Sequence, residues 1–412
     1  MTESSEISDA RFAAFSHRPF AYYWGARFLA NFSVQIMSVA VGWQIYAMTG
    51  NPYDLGIIGL VQFLPLLLLV LVTGAVADRF GRRKVMLVSS VAEVACAIAI
   101  LVYTLSEPTS PIPVFVILAF LGIARAFYGP ASQSLVVNLV PAKDFANAVA
   151  WNTSAWQTAT IVGPVAGGLL YGVSAATAYS VSLVLLLAST VLVAMIPKPQ
   201  ARTARAPVTF SSLLDGIRFI RTERIVLGAI SLDLFAVLLG GVVALLPIYA
   251  KDILELGPWG LGMLRAAPGV GAILMAAFLT ARPIRDNAGI ILFAAVALFG
   301  LFTVMFAVST LAWLSIGALA LIGAADMISV YVREVLLQLW TPDEVRGRVN
   351  AVNMVFLGAS NELGEFRAGF MAGMIGVVPA AVFGGVGSVI VAIAWAWYFP
   401  ELRKARYLDR GR

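Results

Sequence analysis

The segment Gly74-Ala-Val-Ala-Asp78-Arg79-Phe-Gly81-Arg82-Arg83-Lys84 is a short polar interruption between two long apolar runs. Four cations and one carboxylate lie within its last seven residues. Each flanking run is long enough to cross a bilayer, for which roughly 20 apolar residues suffice. Because Lys and Arg concentrate in loops on the cytoplasmic side of a membrane, the segment is predicted to be a cytoplasmic loop between two membrane-spanning helices.

The composition of the whole chain is that of a polytopic membrane protein. Of its 412 residues, 60% are hydrophobic and only 12% are charged, whereas soluble domains average about 25% charged residues. A single cysteine and a single histidine exclude a disulfide framework and a metal site built from those residues. The cations that give the net charge of +6 lie in loops beside apolar runs, so no nucleic-acid partner, metal or cofactor is expected.

The apolar runs predict twelve spanning helices, six on each side of a long polar linker. Lys and Arg lie almost entirely in alternate loops on the side of the two termini, which places both termini in the cytoplasm and the protein in the inner membrane. The predicted organisation is a cytoplasmic tail (1–20), a six-helix bundle (21–196), a linker with an amphipathic helix (197–223), a second six-helix bundle (224–399) and a cytoplasmic tail (400–412).

The linker contains its own helical pattern. Leu213, Leu214, Ile217 and Ile220 recur at helical spacing, with charged residues at other positions. This pattern is typical of an amphipathic helix at the membrane surface, with its basic face toward anionic lipid headgroups. The alternative is a solvated tether.

Polar residues in the predicted spans indicate a cavity. They fall on eight of the twelve helices, and the third, sixth, ninth and twelfth helices are almost wholly apolar, with Glu93 as the charged exception. Eight helices with polar faces and four apolar helices favour a central aqueous cavity surrounded by a lipid-facing ring. The alternative is that the polar residues hold helices together. For Glu93 this alternative is the favoured interpretation. One face of the first helix carries Arg27, Asn31, Gln35 and Ser38.

The complete chain resembles the major facilitator superfamily. The resemblance rests on the twelve spans, the 6+6 division, the linker, a degenerate second loop at Ala281-Arg-Pro-Ile-Arg285, and a nearly complete match of the opening segment to the superfamily's cytoplasmic signature. It implies an all-α polytopic fold of two six-helix bundles around a central cavity. The matching positions, which we interpret as a conformational latch, are Gly74, Asp78, Arg79, Gly81, Arg82, Arg83 and Lys84.

A second motif resembles the antiporter motif of the superfamily's exporters. It reads Ala159-x3-Gly163-Pro164-x2-Gly167-Gly168 in the fifth predicted helix and departs from the motif only at Ala159, where the motif has glycine. Small residues let helices approach closely, and Pro164 removes one backbone hydrogen bond and permits a bend. An ordinary small-residue helix interface is the alternative.

Further stretches resemble the branch of siderophore and drug exporters that are related to the enterobactin exporter. They include Asn51-Pro52-Tyr-Asp54-Leu-Gly56 and Ala325-Asp326-Met-Ile-Ser329, and Arg125 matches the fourth-helix arginine that the superfamily often links to proton coupling. The resemblance implies a secondary active transporter that exports a small organic or amphipathic molecule, siderophore-like or drug-like, in exchange for protons.

Ionisable residues within the spans are the main candidates for function, because each costs roughly 2.5–3.5 kcal/mol at the bilayer centre. The proton-coupling candidates are Asp233, Glu362, Glu365, Arg125 and Asp326. The cavity and substrate candidates are Arg27, Asn31, Gln35, Ser38, Trp151, Trp156, Arg265 and Arg367. Arg265 and Arg367 are also possible counter-ions of the carboxylates, and a permanent salt bridge is the structural alternative. Arg333 is predicted near the end of the tenth helix (311–336), where it could reach the interface.

Three other functions remain open at this stage. A proton-coupled importer would share the fold, and only the antiporter-like motif argues against it. A non-transporting receptor or scaffold would not need a polar cavity. An integral membrane enzyme is disfavoured because the sequence contains no catalytic or metal-ligand constellation, so no enzymatic activity is expected. The expected partners are a small-molecule substrate, protons and membrane lipids.

Overall fold

The computed structural model describes residues 12–107, 109–197, 210–284 and 286–405. Within these ranges the chain forms twelve helices of 17 residues or more, and a 13-residue helix, α7, in the linker. The helices are α1 (Arg18–Thr49), α2 (Pro52–Phe80), α3 (Arg82–Leu105), α4 (Ile112–Leu135), α5 (Phe145–Val173), α6 (Ala175–Met195), α7 (Phe210–Thr222), α8 (Arg224–Gly240), α9 (Gly257–Ala281), α10 (Ala288–Val308), α11 (Ala312–Trp340), α12 (Asp343–Ile375) and α13 (Val377–Tyr398).

Ten stretches of the described residues, each containing all or most of one long helix, are long and apolar enough to cross a membrane; the stretch that begins with α8 continues to Ile253. The multi-pass, all-helical architecture is therefore confirmed. The two long helices outside that set are α5 and α12, which occupy the positions of the fifth and eleventh predicted spans. Their sequences are more polar, with Asn152 and Gln157 in α5 and Glu362 and Glu365 in α12. The count of twelve spans stays a prediction.

The chain divides into two compact units. Unit 1 is Met1–Val41 with Leu64–Pro207, and unit 2 is Gly42–Phe63 with Val208–Arg412. Helices α1 and α2 thus contribute residues to both units. Within unit 2, the Tyr46 hydroxyl donates a hydrogen bond to Asp252. The predicted six-helix domains, with a boundary in the linker, remain a prediction.

Helix α8 is shorter than predicted from sequence. The seventh predicted helix runs over 224–250, but α8 ends at Gly240, and the chain continues through short helical turns to a π-helical turn at Tyr249–Ile253. Two consecutive glycines, Gly240 and Gly241, have low helix propensity, and Pro247 cannot donate a backbone hydrogen bond. A Cβ at Gly240 would lie 2.4 Å from the Ser388 hydroxyl oxygen, so this break is packed closely against α13.

The linker helix α7 packs against the start of α12 in unit 2. A Cβ at Gly216 would lie 2.8 Å from the Arg348 carbonyl oxygen, which shows a close backbone approach. Asp215 forms an ion pair with Arg348 at 3.1 Å, and Ile220 belongs to the buried core of unit 2. Ile217 and Ile220 on the apolar face of α7 therefore contact protein, whereas Leu214 is 48% exposed. The interaction of α7 with lipid headgroups stays a prediction, and linker residues 198–209 lie outside the described part of the chain.

Candidate functional site

The signature segment is the tight junction between α2 and α3. Gly81 joins the two helices with a φ of +85°, a conformation that glycine adopts readily. Arg82 donates a hydrogen bond to the Ser134 carbonyl at 2.7 Å, and Arg83 donates to the Ala194 carbonyl at 2.6 Å. These carbonyls lie in the last turns of α4 and α6, where backbone oxygens lack helical partners and carry partial negative charge. The two arginines therefore stabilise the helix ends of unit 1.

The other members of the signature are more exposed or lie outside the description. Arg79 and Lys84 are exposed, and the Arg79 guanidinium lies 5.7 Å from the Phe80 ring centroid. Gly74 and Asp78 belong to α2, but the surroundings of these two positions are outside the described residues. Arg285 of the second loop copy is outside them as well. The latch function of the segment stays a prediction.

The antiporter-like motif packs α5 against α1. A Cβ at Gly163 would lie 2.6 Å from Cβ of Gln35, and one at Gly167 would lie 3.0 Å from the Ile36 carbonyl oxygen. A larger side chain at either position would push the helices apart. The motif positions that are buried on α5 are Ala159, Gly163, Pro164, Gly167 and Gly168. Gln35, a predicted cavity residue, lies at this helix contact.

A polar cavity of about 130 Å³ lies inside unit 1, and we call it the unit 1 pocket. Arg27 donates a hydrogen bond to the Tyr23 hydroxyl at 2.9 Å. Glu93 is only 2% exposed and interacts electrostatically with Arg125. The charged, amide and indole side chains that line the pocket are Arg27, Asn31, Glu93, Arg125, Gln133 and Trp156.

The structure separates the two predicted cavity tryptophans. The Trp151 ring lies 5.3 Å from the Phe12 ring and 5.2 Å from the Phe15 ring, and its carbonyl accepts a hydrogen bond from the Trp24 indole at 3.0 Å. Trp151 thus belongs to an aromatic cluster. Trp156 is 47% exposed and lines the unit 1 pocket. Ser38 is half-buried on α1.

In unit 2, Asp233 of α8 forms an ion pair with Arg333 of α11. Both are buried, with 6% and 1% of their surface exposed. Asp326 lies within electrostatic range of both. Asp233, Asp326 and Ser329 line a narrow cleft of about 10 Å³, which is about the space that one water needs.

Arg333 does not lie at a helix end, so this prediction was wrong. Helix α11 continues to Trp340, beyond the predicted end at residue 336, and Arg333 therefore lies in the helix interior. Burial of its guanidinium requires an ionic partner, which Asp233 supplies. Arg265 and Arg367 were the predicted counter-ions of the carboxylates, but the ionic partner of Asp233 is Arg333.

A second charged group in unit 2 is the Arg265 cluster, formed by Arg265 of α9 and by Glu362 and Glu365 of α12. Both carboxylates interact electrostatically with the Arg265 guanidinium. They lie against α2, because a Cβ at Gly59 would be 3.4 Å from the Glu362 carboxylate and 3.4 Å from Cβ of Glu365. The spacing of the two glutamates on one face of α12 agrees with the predicted stripe.

Arg367 contacts the backbone of unit 2. Its guanidinium donates a hydrogen bond to the Gly241 carbonyl at 3.2 Å, just after the end of α8. A Cβ at Gly384 would lie 3.2 Å from the same guanidinium. Arg367 therefore stabilises the interrupted end of α8.

The described helices form a multi-pass fold, with charged side chains paired in the interior of unit 2. Solved structures agree on the fold. One is a POT family transporter in complex with 5-aminolevulinic acid, with a TM-score of 0.73 at 12% identity, covering 94% of this chain and 97% of that one. Another is a bacterial homologue of the human lysosomal transporter Spinster, with a TM-score of 0.72 at 13% identity, covering 96% and 98%.

The model of the transmembrane secretion effector family matches residues 9–409, and the chain belongs to this family. Similar proteins include the enterobactin exporter EntS of Shigella boydii serotype 18 and that of Escherichia coli O139:H28. Each is 27% identical over 413 residues, covering 95% of this chain and 94% of the relative. The chain is thus a membrane transporter and not an enzyme, and the predicted superfamily and exporter branch are confirmed.

Proposed function

We propose that the protein exports a small organic or amphipathic molecule, siderophore-like or drug-like, across the cytoplasmic membrane by alternating access and in exchange for protons. Both termini lie in the cytoplasm. Export is supported by the family and by relatives that are themselves enterobactin exporters. The observation that carries the proton coupling is the pairing of buried Asp233 with buried Arg333.

The driving force is a gradient. The sequence contains no Gly-x4-Gly-Lys-Ser/Thr loop for nucleotide hydrolysis. Moving one charge through 100 mV is worth about 2.3 kcal/mol, which sustains roughly a 40-fold concentration ratio, since about 1.4 kcal/mol corresponds to a factor of ten. One proton exchanged for each substrate molecule is therefore enough for useful export.

The Asp233–Arg333 pair can couple a proton to a structural change. A buried carboxylate must be neutralised by a cation or by a proton. When α8 and α11 move, Asp233 therefore either remains paired with Arg333 or binds a proton in place of that ion pair. Asp326 supplies a second carboxylate within electrostatic range. The cleft between these side chains has room for about one water, through which the proton reaches Asp233.

The direction and the coupling are tested in inside-out membrane vesicles, with enterobactin as the first compound because the relatives carry its name. We expect accumulation inside the vesicles when their interior is acidic, and its loss when the gradient is collapsed. Uptake that occurs only in right-side-out vesicles would make the protein an importer. Equal transport with and without the pH gradient would show that transport is not coupled to protons.

The role of Asp233 needs a variant that still folds. Asp233→Asn alone leaves Arg333 buried without its partner, which costs about 3–5 kcal/mol. The double variant Asp233→Asn/Arg333→Gln removes both charges and is expected to fold, because neutral replacement of a buried ion pair is often tolerated. We expect it to bind substrate without proton-driven accumulation. The matched control is Asp215→Asn, in an exposed ion pair, which keeps full transport.

The Arg265 cluster is the second candidate for coupling. Glu365→Gln leaves Glu362 beside Arg265, so we expect a folded protein with reduced proton-driven transport. If both Glu365→Gln and the double variant of the Asp233–Arg333 pair keep wild-type proton-driven transport, the assignment of coupling to unit 2 is wrong. Full activity of the double variant alone would mean that Asp233 and Arg333 only hold α8 and α11 together.

A further inference from the structure

The unit 1 pocket has the size of a subsite for one functional group. Its volume is about 130 Å³. Pockets that enclose a complete drug-sized ligand measure about 300–1,000 Å³. Only a head group therefore fits inside, and the remainder of a ligand must extend past the rim.

The charges that line the unit 1 pocket favour an anion. Arg27 and Arg125 contribute two positive charges, and Glu93 contributes one negative charge. Glu93 interacts electrostatically with Arg125, so one positive charge is not balanced among the described lining residues. An anionic ligand group would balance it, and a guanidinium can offer two parallel N–H donors to the two oxygens of a carboxylate.

Arg27 is held in place before any ligand binds. Its guanidinium donates to the Tyr23 hydroxyl at 2.9 Å, and that hydroxyl donates to the Ser132 carbonyl at 2.9 Å. Tyr23 is fully buried, so this chain of hydrogen bonds fixes the guanidinium relative to α4. A fixed donor loses less conformational entropy on binding than a flexible one.

The rim of the unit 1 pocket offers an aromatic surface. Trp156 lines the pocket and is 47% exposed, unlike Trp151, which packs within an aromatic cluster. An exposed indole next to a charged subsite can stack on a flat ring while the charged group enters the pocket. The side chains of Asn31 and Gln133 add amide donors and acceptors.

We propose that the unit 1 pocket binds the anionic oxygen group of an aromatic organic anion, with Arg27 and Arg125 binding the oxygens and Trp156 stacking on the ring. This inference rests on the proposed function, since it assigns a substrate class to the same transporter. It also assigns different roles to Arg125 and to the carboxylates of unit 2: Arg125 binds substrate, and the carboxylates carry the proton coupling.

The test compares probes that differ only in charge. Binding of 2-naphthoate, its neutral amide 2-naphthamide and the cation 2-naphthylmethylammonium is measured on purified full-length protein in an uncharged detergent by isothermal titration. We expect 2-naphthoate to bind at least about tenfold more tightly than the amide, which corresponds to one charge-assisted contact, and the cation to bind most weakly.

Variants assign the preference to the pocket. Arg27→Gln and Arg125→Gln should each bring the naphthoate and naphthamide affinities to within about threefold, and the lysine variants of the same positions should keep part of the preference because they keep the charge. Trp156→Leu, at an exposed position, should weaken both probes by a similar factor. Arg218→Gln, on the exposed face of α7, is the matched control and should change neither affinity.

Several results would overturn the inference. These are equal affinity for the acid and the amide in the wild-type protein, no saturable naphthoate binding at millimolar concentration, or an unchanged preference in Arg125→Gln and Arg125→Lys. Where a glutamine variant does not fold, its lysine variant tests the preference for the anion, and Trp156→Leu tests whether the probes bind at the unit 1 pocket. Anion binding without gradient-driven transport would contradict the proposed function alone, and gradient-driven transport without an anion preference would contradict this inference alone.

Discussion

Helices α9 and α11 of unit 2 meet backbone to backbone at two reciprocal glycines. A Cβ at Gly271 of α9 would lie 1.8 Å from the Ala320 carbonyl oxygen, and one at Gly323 of α11 would lie 1.9 Å from the Pro268 carbonyl oxygen. Real Cβ atoms essentially never come closer than 3.0 Å to such an atom. The substitution Gly323→Ala therefore requires the two helices to separate by more than about 1 Å at this point, because a backbone carbonyl has no rotamer by which to move away.

The expected cost follows from that separation. Overpacking a tight contact costs about 1–3 kcal/mol, and about 1 kcal/mol lowers the melting temperature of a unit of 150–250 residues by about 2–4 °C. We therefore expect Gly323→Ala to melt about 2–12 °C below the wild-type protein in detergent. Gly317→Ala on the same helix is the matched control. Its Cβ meets nothing within 4 Å, and alanine is about 1 kcal/mol better than glycine in a helix.

Transport activity should differ between Gly323→Ala and Gly317→Ala in the same direction as stability does. Helix α9 carries Arg265 and α11 carries Asp326, so a separation at Gly323 displaces both charged groups of unit 2. We expect reduced proton-driven transport in Gly323→Ala and normal transport in Gly317→Ala, measured at a temperature at which both variants are folded. Equal melting temperatures for the two variants would refute the close contact, and with it the reason for glycine at this position.

Three further predictions concern the segment between α2 and α3 and the linker helix. Arg82→Gln removes a charged donor from a helix end and should destabilise the protein by about 1 kcal/mol, seen as a lower melting temperature, whereas exposed Lys84→Gln should change it little. Gly81→Ala, at a φ of +85°, should lower the free energy of unfolding by about 1 kcal/mol, and the folded variant should retain transport. An unchanged melting temperature would contradict the positive φ at this position. Asp215→Asn should cost less than about 1 kcal/mol, because its pair with Arg348 is exposed, and raising the salt concentration should reduce the difference.

Sequence was sufficient for the architecture because the bilayer imposes it. A spanning helix needs a minimum apolar length, so the runs themselves mark most helices, and the polar turn at Gly81 marks one junction. The glycines of the antiporter-like motif were also interpretable, since Gly163 and Gly167 pack against α1. In each case the relevant signal lies within a few consecutive residues.

Pairings between distant helices were not predictable in the same way. Asp233 and Arg333 are 100 positions apart, and their contact depends on how α8 and α11 rotate and on where α11 ends. Trp151 and Trp156 lie five positions apart on α5, a spacing that turns them by about 140° on a helix of 3.6 residues per turn, so one enters an aromatic cluster and the other lines the unit 1 pocket. Composition cannot distinguish such positions because both residues are equally apolar.

The pairing of Asp233 with Arg333 restricts the order of events in transport. Separating the two side chains while both are charged and buried would cost about 3–5 kcal/mol, as breaking a buried pair does. That is more than the roughly 2.3 kcal/mol that one proton charge gains from 100 mV. In the proposed mechanism, movement of α8 relative to α11 therefore follows protonation of Asp233 or is accompanied by hydration of the cleft that it shares with Asp326. A proton that arrives first removes the charge on the carboxylate and leaves only the Arg333 guanidinium to be stabilised, for which the neighbouring Asp326 is within electrostatic range.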